Sequence, residues 1–261
     1  MNVTFVKFGD HLASSRLRAS IPQAELEKLG IGRGLDVLIY GKHWLPEDQT
    51  KAFGKRIFDC CDDHFHNEHG DYYRRHIENA DLVTCNSNHM RLIILEQTGR
   101  NAIVIPEPYE GVERIPSIGP DLFWFGHISN RPDLERLNLD RPVKVMSNGP
   151  NCWLNWSPQN WDLAMNEDVI VIIPTGKSMA KSENRMVEAI RGGKYVCAEF
   201  LPAYMPFYQF FPLMDINEHV EKALSNPEAS INAIHEAQDY IRDRYSPKTI
   251  ALKWKEVIES L

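Results

Sequence analysis

Residues 172–196 read IIPTGKSMAKSENRMVEAIRGGKYV. An apolar run stops at Pro174, and a loop with Lys177 and Lys181 follows. Ser182 is a good helix N-cap. Met186, Val187, Ala189 and Ile190 then recur at helical spacing, and Gly192–Gly193 ends the helix before a second apolar run opens. A strand, a loop and a helix leading to another strand make a βα unit of a parallel sheet. The loop sets two lysines beside free backbone N–H groups at a helix N-terminus, which suits a diphosphate. GKS invites a P-loop reading, but the first glycine of that motif falls on Val171, so the motif is absent.

The same alternation extends in both directions. Strands are expected at Val3–Phe8, Leu35–Tyr40, Arg56–Cys60, Asp81–Cys85 and Ala102–Ile105, with helices at Ser15–Leu29, Tyr72–Asn79 and Asn88–Thr98. The stretch PEPYEGVERIPSIGP (106–120) carries four prolines and reads as a linker. A second series follows, with strands at Leu122–Phe125, Val143–Met146, Val169–Ile173 and Tyr195–Ala198. Its helices are expected at Ser182–Arg191, Ile216–Leu224, Ile231–Arg244 and Pro247–Leu261. The expected fold class is therefore α/β, with two Rossmann-like domains facing a cleft. The first covers residues 1–110, a linker 111–120, and the second 121–261, its last helix free to pack back on the first domain. In such sheets ligands sit beyond the carboxyl ends of the strands, here at the cleft.

Bulk properties narrow the function. The net charge of −7 disfavours polyanion binding, which needs clustered Lys and Arg. Five cysteines without a C-x-x-C fit buried free thiols and a cytoplasmic location. No signal peptide or membrane-span pattern is evident.

Several pieces, taken in order, resemble the GT-B-fold glycosyltransferases, and among them the retaining family 4 enzymes. KSENRMVEAIRGGKYVCAEFLPAY (181–204) resembles their nucleotide-sugar-binding segment. SSRLRASIPQAELEKLG (14–30) resembles their N-terminal helix, and residues 80–110 the last strand–helix–strand of their acceptor domain. LFWFGHISN (122–130) resembles the opening strand and glycine turn of their donor domain, and YSPKTIALKWKEVIESL (245–261) their C-terminal helix. The resemblance implies transfer of a hexosyl or pentosyl group from a nucleotide-diphosphate sugar, with no tightly bound cofactor and no metal. It implies that Glu188 holds the ribose, that Lys181, Ser182, Asn184 and Arg185 face the donor phosphates or sugar, and that Gly126 lets the diphosphate approach. Arg131 is a further phosphate candidate. Many relatives carry a second Glu eight positions before the one matching Glu188; here that position is Ala180.

Two more stretches bear on chemistry. In KFGDHLASSRLR (7–18), Gly9 turns the chain after a strand, and Arg16 and Arg18 lie in a helix's first turn, where cations oppose the dipole unless they bind an anion. An ordinary capped surface turn is the alternative. In DCCDDHFHNEHGD (59–71), Asp63 and His64 sit beyond a strand and are catalytic candidates beside an acceptor hydroxyl. The spacing His64-x-His66-x-Glu68-His69 also fits a metallohydrolase, although that fold contradicts the strand–helix alternation, and His66–Asp71 also reads as a polar turn. The tryptophans of NGPNCWLNWSPQNW (148–161) read as packing or as a stacking wall. Candidate partners are a nucleotide sugar and a glycan, small-molecule or modified-DNA acceptor, such as a hydroxymethylated base. A non-catalytic nucleotide-sugar-binding protein is the alternative raised by Ala180.

Overall fold

The computed structural model describes residues 1–9, 12–42, 45–176 and 178–261; Lys177 lies outside them. The chain forms two compact units. Unit 1 comprises Met1–Glu110, Ala180–Ser182 and Asp243–Leu261, and unit 2 comprises Gly111–Met179 and Glu183–Arg242.

Unit 1 is a parallel sheet of β1 (Val3–Phe5), β2 (Val37–Tyr40), β3 (Lys55–Cys60), β4 (Leu82–Cys85) and β5 (Ile103–Val104), paired in sequential order. Alternate side chains divide between its two faces. Val3, Phe5, Val37, Ile39 and Ile57 pack with Leu26 of α2 (Ile21–Lys28) and with Ile250 and Trp254 of the chain's last helix, Pro247–Glu259. Leu38, Tyr40, Phe58, Cys60, Val83 and Cys85 pack with Tyr72, Tyr73 and Ile77 of a helix at Gly70–Asn79, and with Met90 and Ile94 of another at Asn88–Thr98. Crossovers therefore run over opposite faces although the strand order never reverses. The first helix is longer in sequence than in α form. It opens as α1 (Ala13–Ser15), passes through a π turn at Arg16–Ser20 and continues as α2. The Asn88–Thr98 helix matches its expected bounds for local reasons. Ser87 accepts from the Met90 N–H, and Gly99 at φ 69° closes the other end.

Unit 2 holds a parallel sheet of β6 (Asp121–Phe125), β7 (Val143–Ser147), β8 (Leu154–Asn155), β9 (Val169–Ile173) and β10 (Tyr195–Ala198), in the order β10-β9-β6-β7-β8. The order reverses at β6, which makes its carboxyl end and that of β9 a topological switch point. β9 and β10 are buried along their whole lengths, which explains their unbroken apolar runs. Residues 111–119 are bonded into this unit. Arg114 N–H donates to Arg191 O (3.0 Å), Ser117 N–H to Gly193 O (3.0 Å), and Ser117 bridges to Lys194. Lys194 is buried, and its ammonium donates to Ser117 Oγ and Glu167 O, both at 2.7 Å. Gly193 is required there: φ is +73°, and a Cβ would lie 2.6 Å from Ile115 O.

Short elements escape the periodicity reading. They are helices at Glu47–Lys51, Arg131–Glu135 and Pro158–Asn166, and strand β8. Among the described residues no helix is long and apolar enough to cross a membrane.

Candidate functional site

In unit 2 Gly126 and Arg131 follow β6, and Asn184, Arg185 and Glu188 follow β9, the two strands that flank the switch point. The helix expected from Ser182 begins instead at Asn184, and spans Asn184–Arg191. Its N-cap is Glu183, without a side-chain cap hydrogen bond. First-turn N–H groups are thus left without a capping side chain, and the dipole adds positive potential there. Arg185 lies in that turn. Its Nη2 donates to Pro174 O (3.3 Å), and Nη1 is buried. Tyr204 packs nearby with its hydroxyl buried and facing Arg185; burial raises its pKa, against the charge of Arg185 and a side-chain hydrogen bond with it. Glu188 follows one turn later and is buried. A Cβ added at Gly111 would lie 3.3 Å from Glu188 Oε2 and 3.6 Å from Trp161 Nε1, so carboxylate and indole share one corner.

The other unit 2 candidates are committed locally. A Cβ on Gly126 would lie 2.9 Å from the Trp124 indole, so its missing side chain is first a packing requirement. Arg131 Nε bonds Glu135 (2.8 Å) and its Nη1 bonds Pro150 O (3.0 Å) and Asn151 O (3.3 Å). It fastens the 150 loop, where Asn151 has a positive φ of 56°. Of the tryptophans at 148–161, Trp153 is exposed and Trp156 and Trp161 are half-buried. Trp161 meets Phe125 edge-on at 4.8 Å, and Lys144 lies over Trp153 at 5.0 Å.

In unit 1, Gly9 has φ +120°, a conformation that favours glycine, and its carbonyl accepts from Leu12 N–H (3.1 Å). Arg16 makes a two-pronged pair with Glu110, both bonds 2.7 Å. That carboxylate, 94 positions along the chain, answers the cation's misplacement in the first turn. Arg18 is buried and grips Asp59 through Nε (2.9 Å) and Nη2 (2.5 Å). Its Nη1 goes to the Ile105 and Pro106 carbonyls. Thr84 Oγ1 also donates to Asp59 (2.7 Å). Lys42 pairs with Asp62 at 2.5 Å. A small, shallow hollow lies beyond β1, β2 and β3, and Phe5, Phe8, Arg18, Lys42, Asp59 and Cys61 are among its walls.

Asp63 is half-buried, and its Oδ1 accepts from Phe65 N–H (3.2 Å). His64 Nδ1 lies 2.9 Å from Asn67 Nδ2. Asn67 Oδ1 meanwhile accepts from His69 N–H (2.8 Å), which orients the amide. Nδ1 is therefore the acceptor, and the proton of the neutral ring sits on Nε2. Burial lowers the His64 pKa, and nearby Lys42 and His69 act the same way against Asp62 and Asp63. The ring thus offers an N–H donor rather than a base. His64 and His69 meet edge-on at 5.6 Å, and His66 is exposed. Among the described residues no three His, Cys, Asp or Glu side chains come together as a metal site.

Ser182 Oγ, read as the helix cap, donates instead to Glu107 Oε2, and Lys181 stands beside it in unit 1. Glu107, Asp59 and Lys42 were not singled out by the sequence reading, although Arg18 was, as a cation in a helix's first turn. For Asp59 the local signal was a charged residue inside the apolar strand run of RIFDCC.

No protein-family model matches this chain, and no curated protein matches it by sequence. Solved structures do match. Their class is the GT-B glycosyltransferases, and the two parallel α/β sheets described above have that fold. The Anabaena protein HepE in complex with UDP-glucose is 12% identical, with 99% of each chain covered and a TM-score of 0.68. Sucrose-phosphate synthase of Thermosynechococcus elongatus is 10% identical, covering 98% of this chain and 80% of that one, with a TM-score of 0.57. TarM of S. aureus, in complex with fondaparinux, alpha-GlcNAc-glycerol and UDP, is 16% identical over 90% of this chain and 57% of its own, with a TM-score of 0.56.

Proposed function

We propose that the protein is a glycosyltransferase that moves a sugar from a uridine diphosphate sugar to an acceptor hydroxyl. The observation that carries this reading is the start of the Asn184–Arg191 helix. There, N–H groups without a capping side chain adjoin the Arg185 guanidinium, which faces the buried Tyr204 hydroxyl, at a strand-order switch, an arrangement suited to a diphosphate. HepE in complex with UDP-glucose and with UDP, and TarM with UDP, support uridine as the base.

Asn184 and Arg185 hold the phosphates, Gly126 permits their approach, and Glu188 accepts from the ribose. Lys181 and Ser182 complete the donor contacts. Arg131 and Arg16, already bonded, support the loops carrying these groups. Residues 1–110 act as the acceptor-side domain, joined by the chain's last helix, and the rest of 121–261 as the donor-side domain. Asp63 receives the acceptor proton, and His64 donates through Nε2 to acceptor or sugar oxygen. The family 4 resemblance extends the proposal to retention of anomeric configuration. A neutral glycan or small molecule suits the net charge of −7 better than modified DNA. Five free thiols, four of them buried, fit the cytoplasm.

The test is a thermal-shift panel of nucleotides and nucleotide sugars on wild type and Glu188→Ala, with and without EDTA. UDP and a UDP-sugar should stabilise wild type, by about 2.7 kcal/mol at one hundred times Kd. The effect should survive EDTA and shrink in the variant. Absence of any nucleotide response refutes the donor reading. Stabilisation without slow release of UDP from any sugar nucleotide would instead mark a binding protein.

A further inference from the structure

Glu107 sits between Pro106 and Pro108, just beyond β5, where two fixed φ angles hold the backbone. It is 6% exposed. Its Oε2 accepts from Ser182 Oγ, and among the described residues no second hydrogen bond reaches the carboxylate. That is unusual chemistry for a buried acid, which can accept about four hydrogen bonds and normally pairs with a cation.

The nearby cations are committed elsewhere. Arg18 directs Nε and Nη2 to Asp59, and Nη1 to two carbonyls. Lys42 gives its ammonium to Asp62. Burial accordingly pushes the Glu107 pKa up, with Asp62 and Asp59 adding to the rise, and Arg18 and the Ser182 bond opposing it. A residue needed only to hold Ser182 would do so at lower cost as a neutral amide. The segment 180–182, meanwhile, lacks a carboxylate of its own. Ala180 is buried in the unit 1 core, and Lys181 is a donor. A sugar hydroxyl arriving there needs an acceptor.

We propose that Glu107 contacts the donor sugar, its second carboxylate oxygen accepting a hydrogen bond from a hydroxyl of the ligand held beside Ser182. This rests on the glycosyltransferase reading, and it supplies a sugar-recognising residue from outside the nucleotide-binding segment. A charge-assisted bond to a hydroxyl adds affinity for the sugar-bearing nucleotide and none for the bare nucleotide.

The experiment is calorimetric titration of UDP and UDP-glucose into wild type, Glu107→Gln, Glu107→Asp and Ser182→Ala, with GDP, GDP-mannose, ADP and ADP-glucose run alongside. In Glu107→Gln, nucleotide affinity should stay within about twofold while sugar-nucleotide affinity falls about tenfold. Glu107→Asp should recover part of the loss. Glu107→Gln should also melt no lower than wild type at neutral pH, because it removes a charge that the fold disfavours. An unchanged ratio of sugar-nucleotide to nucleotide affinity in Glu107→Gln overturns the proposal. So does an equal loss for both ligands, which would make Glu107 a support for the segment alone. Should Glu107→Gln fail to fold, the ratio in Glu107→Asp decides. Wild type that binds no member of the panel would defeat the donor reading itself, a separate outcome.

Discussion

The Arg18–Asp59 pair gives the sharpest stability test. Both side chains are nearly inaccessible, at 3% and 7% of their side-chain surface, and the guanidinium lies 5.4 Å over the Trp254 ring. Arg18→Met keeps much of the apolar stem but leaves Asp59 charged and buried, with Thr84 as its remaining hydrogen-bond donor. It also removes the donor that serves the carbonyls of Ile105 and Pro106. Breaking a buried pair from one side costs about 3–5 kcal/mol. Against a typical total of about 5–15 kcal/mol, that is a large fraction of the stability. At about 3 °C per kcal/mol, the melting temperature should fall by roughly 12 °C. Asp59→Asn, which strands the arginine, should cost a similar amount. The double variant should lose at least 2 kcal/mol less than the sum of the single losses, since it leaves no uncompensated charge. Urea denaturation of all four proteins measures the cycle. A loss below about 1 kcal/mol in Arg18→Met, or simple additivity, would show that the pair does not carry the electrostatic weight assigned to it.

Two further outcomes follow from buried rings. Trp254→Ala should destabilise the protein by about 3–5 kcal/mol in urea denaturation, because the indole is fully buried and meets Phe5 edge-on at 5.2 Å; a loss under 1 kcal/mol would contradict its place in the core. His219 is buried beside the Tyr195 hydroxyl at 3.0 Å, and burial first, then Lys222, hold its pKa down to about 4. A depressed histidine contributes stability above the unfolded value of 6.5 and loses it as pH falls toward 4. The acid limb of a stability–pH profile should therefore be shallower between pH 6.5 and 4 in His219→Gln, and parallel profiles would refute this assignment.

How far the site could be read from sequence depends on the range of each interaction. Asn88–Thr98 was legible because its cap, its apolar spacing and its closing glycine lie within a dozen residues. β9 and β10 were legible as apolar runs because both faces are covered. The helices at Glu47–Lys51 and Arg131–Glu135 are too short to develop a period. Ser182 shows how a local rule loses to a distant partner. As a cap it would have satisfied one backbone N–H, but 75 positions away Glu107 offers a buried carboxylate. Arg16 likewise looked like an unsatisfied cation until Glu110 was in place.

The sequence by itself determined the alternation of strand and helix and the parallel class of both sheets. Both are written in contacts between near neighbours: side-chain periodicity, caps and turn residues. Only the tertiary structure decided the strand order, the placing of residues 180–182 in unit 1, the proton position on His64, and which charges are already paired. Those depend on groups tens of residues apart meeting in low-dielectric surroundings. There the cost of burying a charge is set by its final neighbours, and no local pattern records who they are.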